Sequence, residues 1–205
     1  MNAFKRIILV GKGASGKDHA REFLTNSMGF KYGVSYTTRP PRENEVNGKD
    51  YNFISDNDFM GMDLLNEWFE HVTFNGWVYG TTNEQFYGDC SLFIMTPTGL
   101  GHLSEVDRAD SFVLYFDIDA TRRSQRMSER KGNADSIHRR LMADERDFKY
   151  FSNYNAKIDN PFYTDEDLCE VVRKGMATLC AIQLTQEYIS DSLPDDHIDS
   201  HHNLN

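Results

Sequence analysis

The segment Gly11 to Lys17, GKGASGK, directly follows the apolar run Ile7-Ile8-Leu9-Val10, and this order of strand, glycine-rich turn and helix start constrains the fold more than any other stretch. The glycines let successive backbone N–H groups turn inward around a phosphate, the closing lysine reaches the β- and γ-oxygens, and the following helix aims its positive end at the anion. Gly11, Lys12, Gly13, Ala14, Ser15, Gly16 and Lys17 are therefore read as the phosphate loop of a nucleoside triphosphate site. The next position breaks the pattern: Asp18 stands where Ser or Thr is expected.

Apolar runs and helical periods alternate along the rest of the chain. Strands are predicted at Arg6 to Val10, Ser91 to Thr96, Ser111 to Phe116 and Ala156 to Asp159. Helices are predicted at Lys17 to Asn26, Thr98 to Asp107, Ala120 to Lys131, Asp135 to Phe151 and Asp165 to Ser190. This βαβα order implies an α/β protein, a P-loop NTPase core with a parallel five-stranded sheet flanked by helices. A chain of 205 residues has room for one well-buried core and not for two full α/β domains.

Between Val34 and Asp89 the pattern changes to short segments rich in Asn, Gly, Tyr and Thr, with one helix near Asp56 to Leu65. That is an insertion suited to holding a second substrate. The expected organisation is a domain over 1–190, with its core in 1–33 and 90–190, the inserted lobe in 34–89 and a helical lid over about 126–145. Residues 191–205, acidic and poor in apolar groups, are expected to form a flexible tail, with His197, His201 and His202 solvated rather than ligating.

A net charge of −10 and a pI near 5.1 argue against wrapping a nucleic-acid polymer by charge alone. No N-terminal apolar segment points to export or a membrane span, so a soluble, cytoplasmic protein is expected, monomeric or homodimeric. Cys90, Cys169 and Cys180 lack metal-type spacing and are read as free thiols.

Four stretches follow one another in the insertion: Ser35-Tyr36-Thr37-Thr38-Arg39-Pro40-Pro41-Arg42, Gly48-Lys49-Asp50-Tyr51-Asn52-Phe53, Phe69-Glu70 and Tyr79-Gly80-Thr81. Together they resemble the nucleoside-monophosphate lobe of the guanylate kinases, and the resemblance runs from about Lys5 to Asn160. It implies ATP as phosphoryl donor, Mg²⁺ as cofactor and GMP or dGMP as acceptor. By the same resemblance Ser35, Arg39, Arg42, Tyr51, Glu70, Tyr79 and Thr81 form the monophosphate-binding set.

Chemistry makes sense of these residue types. Arg39 and Arg42, stiffened by Pro40 and Pro41, can grip a phosphate with charge-assisted bonds while Tyr51 donates its hydroxyl. Guanine presents N1–H and N2–H donors beside an O6 acceptor, so Glu70 can accept from both nitrogens while the Ser35 and Thr81 hydroxyls donate to O6. Adenine offers the opposite edge, and a buried carboxylate facing its bare N1 would lack a donor.

A third stretch reverses the local charge: Arg122, Arg123, Arg126, Arg130, Arg139 and Arg140 crowd together around Lys131-Gly132-Asn133. In-line phosphoryl transfer spreads charge over the γ-phosphoryl oxygens, and arginines closing over it stabilise the reaction. The resemblance assigns Arg130 and Arg140 to phosphate, Arg126 to the adenine and Asn160 to an adenine contact after the last strand. Lys17, Arg42, Arg130 and Arg140 would then carry the transition-state charge. Arg122, Arg123 and Arg139 are read instead as partners of Glu129, Asp144 or Glu145 at i, i+4 spacings.

Two departures from the guanylate kinase pattern stand out. The family usually carries Asp residues at the end of the strand after the lobe, where this chain has Ile94 and Thr96, the latter placed at the base site. Asp18 is the other, and it is expected to supply the anionic share of Mg²⁺ binding that the strand lacks. Phosphomevalonate kinases and some phage deoxynucleotide kinases share the Gly-Lys-Asp ending, which would suit a phage-type member acting in the host cytoplasm. Two alternatives stay open: a ribose 1,5-bisphosphokinase-like enzyme or broader deoxynucleoside monophosphate kinase, and a non-catalytic binding module of guanylate-kinase type.

Overall fold

The computed structural model of the protein describes residues 5–74, 76–129 and 136–192. The chain runs β1 (Arg6–Gly11), α1 (Lys17–Met28), β2 (Tyr36–Thr37), β3 (Asn52–Phe53), α2 (Asp56–Leu64), β4 (Trp68–Phe74), β5 (Trp77–Thr82), α3 (Asn83–Tyr87), β6 (Leu92–Met95), α4 (Pro97–Leu100), α5 (Glu105–Ala109), β7 (Ser111–Phe116), α6 (Ala120–Glu129), α7 (Ile137–Phe148), β8 (Ala156–Ile158) and α8 (Asp165–Ser192).

Ile7, Ile8, Leu9 and Val10 are fully buried, as a central parallel strand covered on both faces requires. Burying each such side chain contributes about 2 kcal/mol relative to leaving it in water. Successive residues point to opposite faces and so feed two cores. Ile7 and Leu9 pack with Ala20, Leu24, Phe112, Leu114, Leu168 and Val172 beneath α1 and α8. Ile8 and Val10 pack with Phe86, Phe93, Met95, Leu100 and Val113 on the other side.

The described sheet has four parallel strands in the order β6-β1-β7-β8, which corrects the expected five. The fifth place is taken by Lys31 to Gly33, which forms one parallel bridge, Tyr32 to Leu92, and a few backbone bonds beside β6. Gly29 ends α1 in the left-handed conformation, and the chain soon leaves for the insertion, so the pairing stops after that bridge. A second sheet, β3-β2-β5-β4, pairs β2 with β3 in parallel and β5 antiparallel to both β2 and β4.

The helix expected over Thr98 to Asp107 is two short ones, α4 and α5. Gly99 and Gly101 weaken the helix where it breaks, and Ser104 restarts it by accepting a bond from the Asp107 N–H at 3.1 Å. Helix α3 was not anticipated. Its signal was present in the sequence: Thr82 and Gln85 form a capping box, each side chain bonded to the other's backbone N–H. The remaining helices match expectation to within a few residues, α8 ending at Ser192.

Candidate functional site

The loop from Gly11 to Lys17 leaves the C-terminal end of β1 and delivers the chain into α1, the geometry that places backbone N–H groups around an anion. Gly16 makes the final turn with φ 105°, a conformation other residues rarely adopt. The Tyr163 hydroxyl donates to the Gly16 carbonyl at 2.9 Å and fixes that turn from the far side. Lys17 lies across the loop, its Nζ donating to the carbonyls of Gly11 at 2.6 Å and Lys12 at 3.0 Å. Ser15 is fully buried under it.

Arg126 on α6 reaches down to the same loop. Its Nη1 donates to the Ala14 carbonyl at 3.1 Å and its Nη2 to the Pro161 carbonyl at 2.9 Å, so Arg126 and the turn at Asn160 sit together beside the loop. Asn160 itself accepts from the Phe162 N–H at 2.9 Å, a turn-forming bond. Arg140 on α7 brings its Nη2 to 3.5 Å from where a β-carbon on Gly13 would stand. Arg130 lies outside the described residues, as do His197, His201 and His202.

Asp18 is exposed in the first turn of α1. Its charge is felt on both sides of the loop. Burial raises the pKa of Tyr51 and Tyr163, and Asp18 pushes in the same direction on each. No cluster of three or more His, Cys, Asp or Glu side chains capable of holding a metal occurs among the described residues. Mg²⁺ asks for less, commonly one or two carboxylates plus phosphate oxygens and water, and an exposed carboxylate at the loop fits that demand.

In the insertion, Arg39 and Arg42 converge on one carboxylate. Arg39 is buried, and its Nη2 meets both oxygens of Glu45 at 2.8 Å; Arg42 donates to Glu45 from Nη1 at 3.1 Å and from its backbone N–H at 2.8 Å. Glu45 was not singled out in the sequence. It shows that the two guanidiniums can share a single anion, which is the geometry a phosphate monoester needs. Tyr51 and Tyr79 stack edge to face at 5.8 Å beside them, and the Arg39 guanidinium lies 5.4 Å from the Tyr51 ring centroid.

Glu70 on β4 pairs with Thr81 on β5, and the Thr81 hydroxyl donates to Oε1 at 3.0 Å. Burial raises the Glu70 pKa from 4.5 to about 7, against the lowering effects of the Thr81 bond and the His102 charge. The Thr81 hydroxyl is thus directed at Glu70, and Ser35 is also buried. Gly99 lies against the same carboxylate. A β-carbon there would stand 2.7 Å from Glu70 Oε2, so the carboxylate comes as close to α4 as an unsubstituted backbone permits. Thr96 caps α4 by accepting from the Gly99 N–H at 3.0 Å, which brings it into the Glu70 cluster.

Two arginines of α6 pair differently from expectation. Arg123 meets two of the expected partners, Asp144 at 2.8 Å and Glu145 at 2.9 Å, but across from α6 to α7 rather than at i, i+4 spacing. Arg122 turns to Gln125 at 2.8 Å.

A phosphate loop on the end of a parallel strand, with an inserted sheet carrying a paired arginine site and a buried carboxylate, defines a P-loop α/β protein of small-kinase type. The family model for guanylate kinase matches residues 3–174, and the chain belongs to that family. It is 44% identical over 82 residues to a guanylate kinase of Mesoplasma florum, a match covering 39% of this chain and 28% of that protein. It is 26% identical over 196 residues to a guanylate kinase of Sus scrofa, covering 87% of this chain and 98% of that one. The chain thus spans under half the length of the bacterial relatives it matches, such as 33% of the guanylate kinase of Deinococcus radiodurans. In fold it is similar to the crystal structure of guanylate kinase from Anaplasma phagocytophilum, with a TM-score of 0.63 at 19% identity over 86% of this chain and 88% of the other.

Proposed function

We propose that this protein transfers the γ-phosphoryl group of ATP to GMP or dGMP, with Arg39, Arg42 and Tyr51 holding the acceptor phosphate and Glu70 reading the base. The acceptor phosphate attacks directly and no protein nucleophile is required, so the chain's work is alignment, charge neutralisation and exclusion of water. In this reading residues 34–89 are the acceptor lobe and α6 and α7 belong to the lid, with Lys17, Arg42 and Arg140 facing the transferred charge.

The observation that carries this reading is the buried Glu70–Thr81 pair, which lies in the small sheet whose strand β2 leads into the loop of Arg39 and Arg42. A sugar bisphosphate has no purine edge to be read, whereas guanine presents two adjacent N–H donors to such a carboxylate. Acceptor choice tests the reading. With radiolabelled ATP, GMP and dGMP are expected to turn over in preference to dAMP, UMP and ribose 1,5-bisphosphate.

Mg²⁺, when bound, neutralises the β- and γ-phosphate oxygens. Asp18 is the residue that would hold it, which offsets the absence of acids at Ile94 and Thr96. In Asp18→Ala the Mg²⁺ concentration giving half-maximal activity is expected to rise by about tenfold or more at saturating nucleotide. An unchanged Mg²⁺ titration would contradict this assignment. No helix among the described residues is long and apolar enough to cross a membrane.

A further inference from the structure

A guanidinium is fully buried between the lid and the phosphate loop, and none of the roles above explains it. Arg123 is 0% exposed, and each of its three side-chain nitrogens donates a hydrogen bond. Nε donates to the Ile118 carbonyl at 3.0 Å, Nη1 to Asp144 Oδ2 at 2.8 Å and Nη2 to Glu145 Oε1 at 2.9 Å. Asp144 Oδ2 also accepts from the Gly13 backbone N–H at 3.0 Å, while Lys12 meets Glu145 at 2.8 Å. Consecutive residues of α7 are thus tied to consecutive residues of the phosphate loop, with Arg123 of α6 closing the clasp.

Helices can be packed together at lower cost with apolar side chains, since a buried ion pair must first overcome desolvation. What directed bonds add is geometry. Arg140 precedes Asp144 by one helical turn and shares its face of α7. Both reach the same spot: Asp144 Oδ2 lies 3.3 Å and Arg140 Nη2 3.5 Å from where a β-carbon on Gly13 would stand. The charges of Arg123, Lys17 and Arg140 all favour the Asp144 carboxylate, against burial, which raises its pKa.

We propose that Asp144 is a positioning residue for phosphoryl transfer: held by the Gly13 N–H and Arg123, it fixes α7 on the phosphate loop and so delivers Arg140 to the transferring phosphoryl group. The proposal rests on the kinase reading above. Misplacement of a charge-stabilising group by about 1 Å costs on the order of a hundredfold in rate, so the clasp is worth its desolvation.

The test is a cycle of Asp144→Ala, Arg140→Ala and the double variant, assayed with ATP and GMP, with Asp144→Asn alongside. Asp144→Ala is expected to lower kcat by about 10- to 100-fold while leaving the KM for GMP within about threefold, because the acceptor lobe lies apart from the clasp. In the Arg140→Ala background the same change should cost under about threefold, since its partner in catalysis is already gone. Asp144→Asn keeps a carbonyl for the Gly13 N–H and is expected to retain part of the lost rate. It also carries the test if the alanine variant does not fold, as judged by circular dichroism.

Full multiplicative losses in the double variant would overturn the proposal, as would an unchanged kcat in folded Asp144→Ala or Asp144→Asn. A wild-type protein that prefers another acceptor overturns only the GMP reading, and the cycle is then run with that acceptor. A wild type that phosphorylates none of them overturns both.

Discussion

Glu70→Gln is expected to lower kcat/KM for GMP by about two to three powers of ten while making the protein more stable above neutral pH. The loss follows from donor and acceptor matching. A carboxylate can accept from both N1–H and N2–H of guanine, whereas a glutamine amide must point an NH₂ at one of them or turn away. The KM for ATP should change little, because Glu70 sits in the inserted sheet and not at the phosphate loop.

The stability gain follows from the same burial. Glu70 holds its proton to about pH 7 when folded, against an ordinary value of 4.5. Between these values the folded state binds more protons than the unfolded one, so folding stability falls as pH rises through that window, and the full cost applies above it. The shift corresponds to roughly 3 kcal/mol, the desolvation cost of a buried carboxylate kept for recognition. Denaturant unfolding of wild type and Glu70→Gln at pH 4 and pH 8 checks this. The two should converge at the acid end and separate at the alkaline end, and parallel curves would contradict it.

Lys17→Met is expected to lower kcat by about three powers of ten, close to 4 kcal/mol of transition-state stabilisation. The ammonium is the charge the loop itself brings to the β- and γ-phosphates, and its bonds to the Gly11 and Lys12 carbonyls hold it across the loop. Methionine keeps the length and removes the charge. The carbonyls left behind cost on the order of 1 kcal/mol of stability, so the variant should fold and still bind GMP. A kcat within tenfold of wild type in a steady-state assay would show that the loop does not carry the transferred charge.

The phosphate loop was legible because it is local: an apolar run, a glycine-rich turn and a helix start, all within twelve or so residues of chain. Arg39, Arg42 and Glu70 were singled out by resemblance; the structure pairs the two arginines with Glu45 and Glu70 with Thr81. Glu45 was hidden because an acidic residue in a loop carries no periodic signal; only the folded turn places it on both arginines. Arg123 and Asp144 were named as partners, but the spacing assigned to them was wrong for a related reason. Helical spacing predicts partners along one helix, while these two meet across α6 and α7, and a contact between separate helices leaves no spacing in the sequence. The strand count failed at Lys31 to Gly33, where the sequence offers too few residues before the insertion to extend the pairing beyond one bridge.

The central claim is that a buried carboxylate in the inserted sheet selects a purine with N–H donors on its reading edge. Its most direct measurement is the ratio of kcat/KM for GMP to that for dAMP with the wild-type protein and ATP at saturating Mg²⁺. A ratio of about a thousand or more in favour of GMP is predicted. A ratio near one, or ribose 1,5-bisphosphate outperforming both nucleotides, would contradict it.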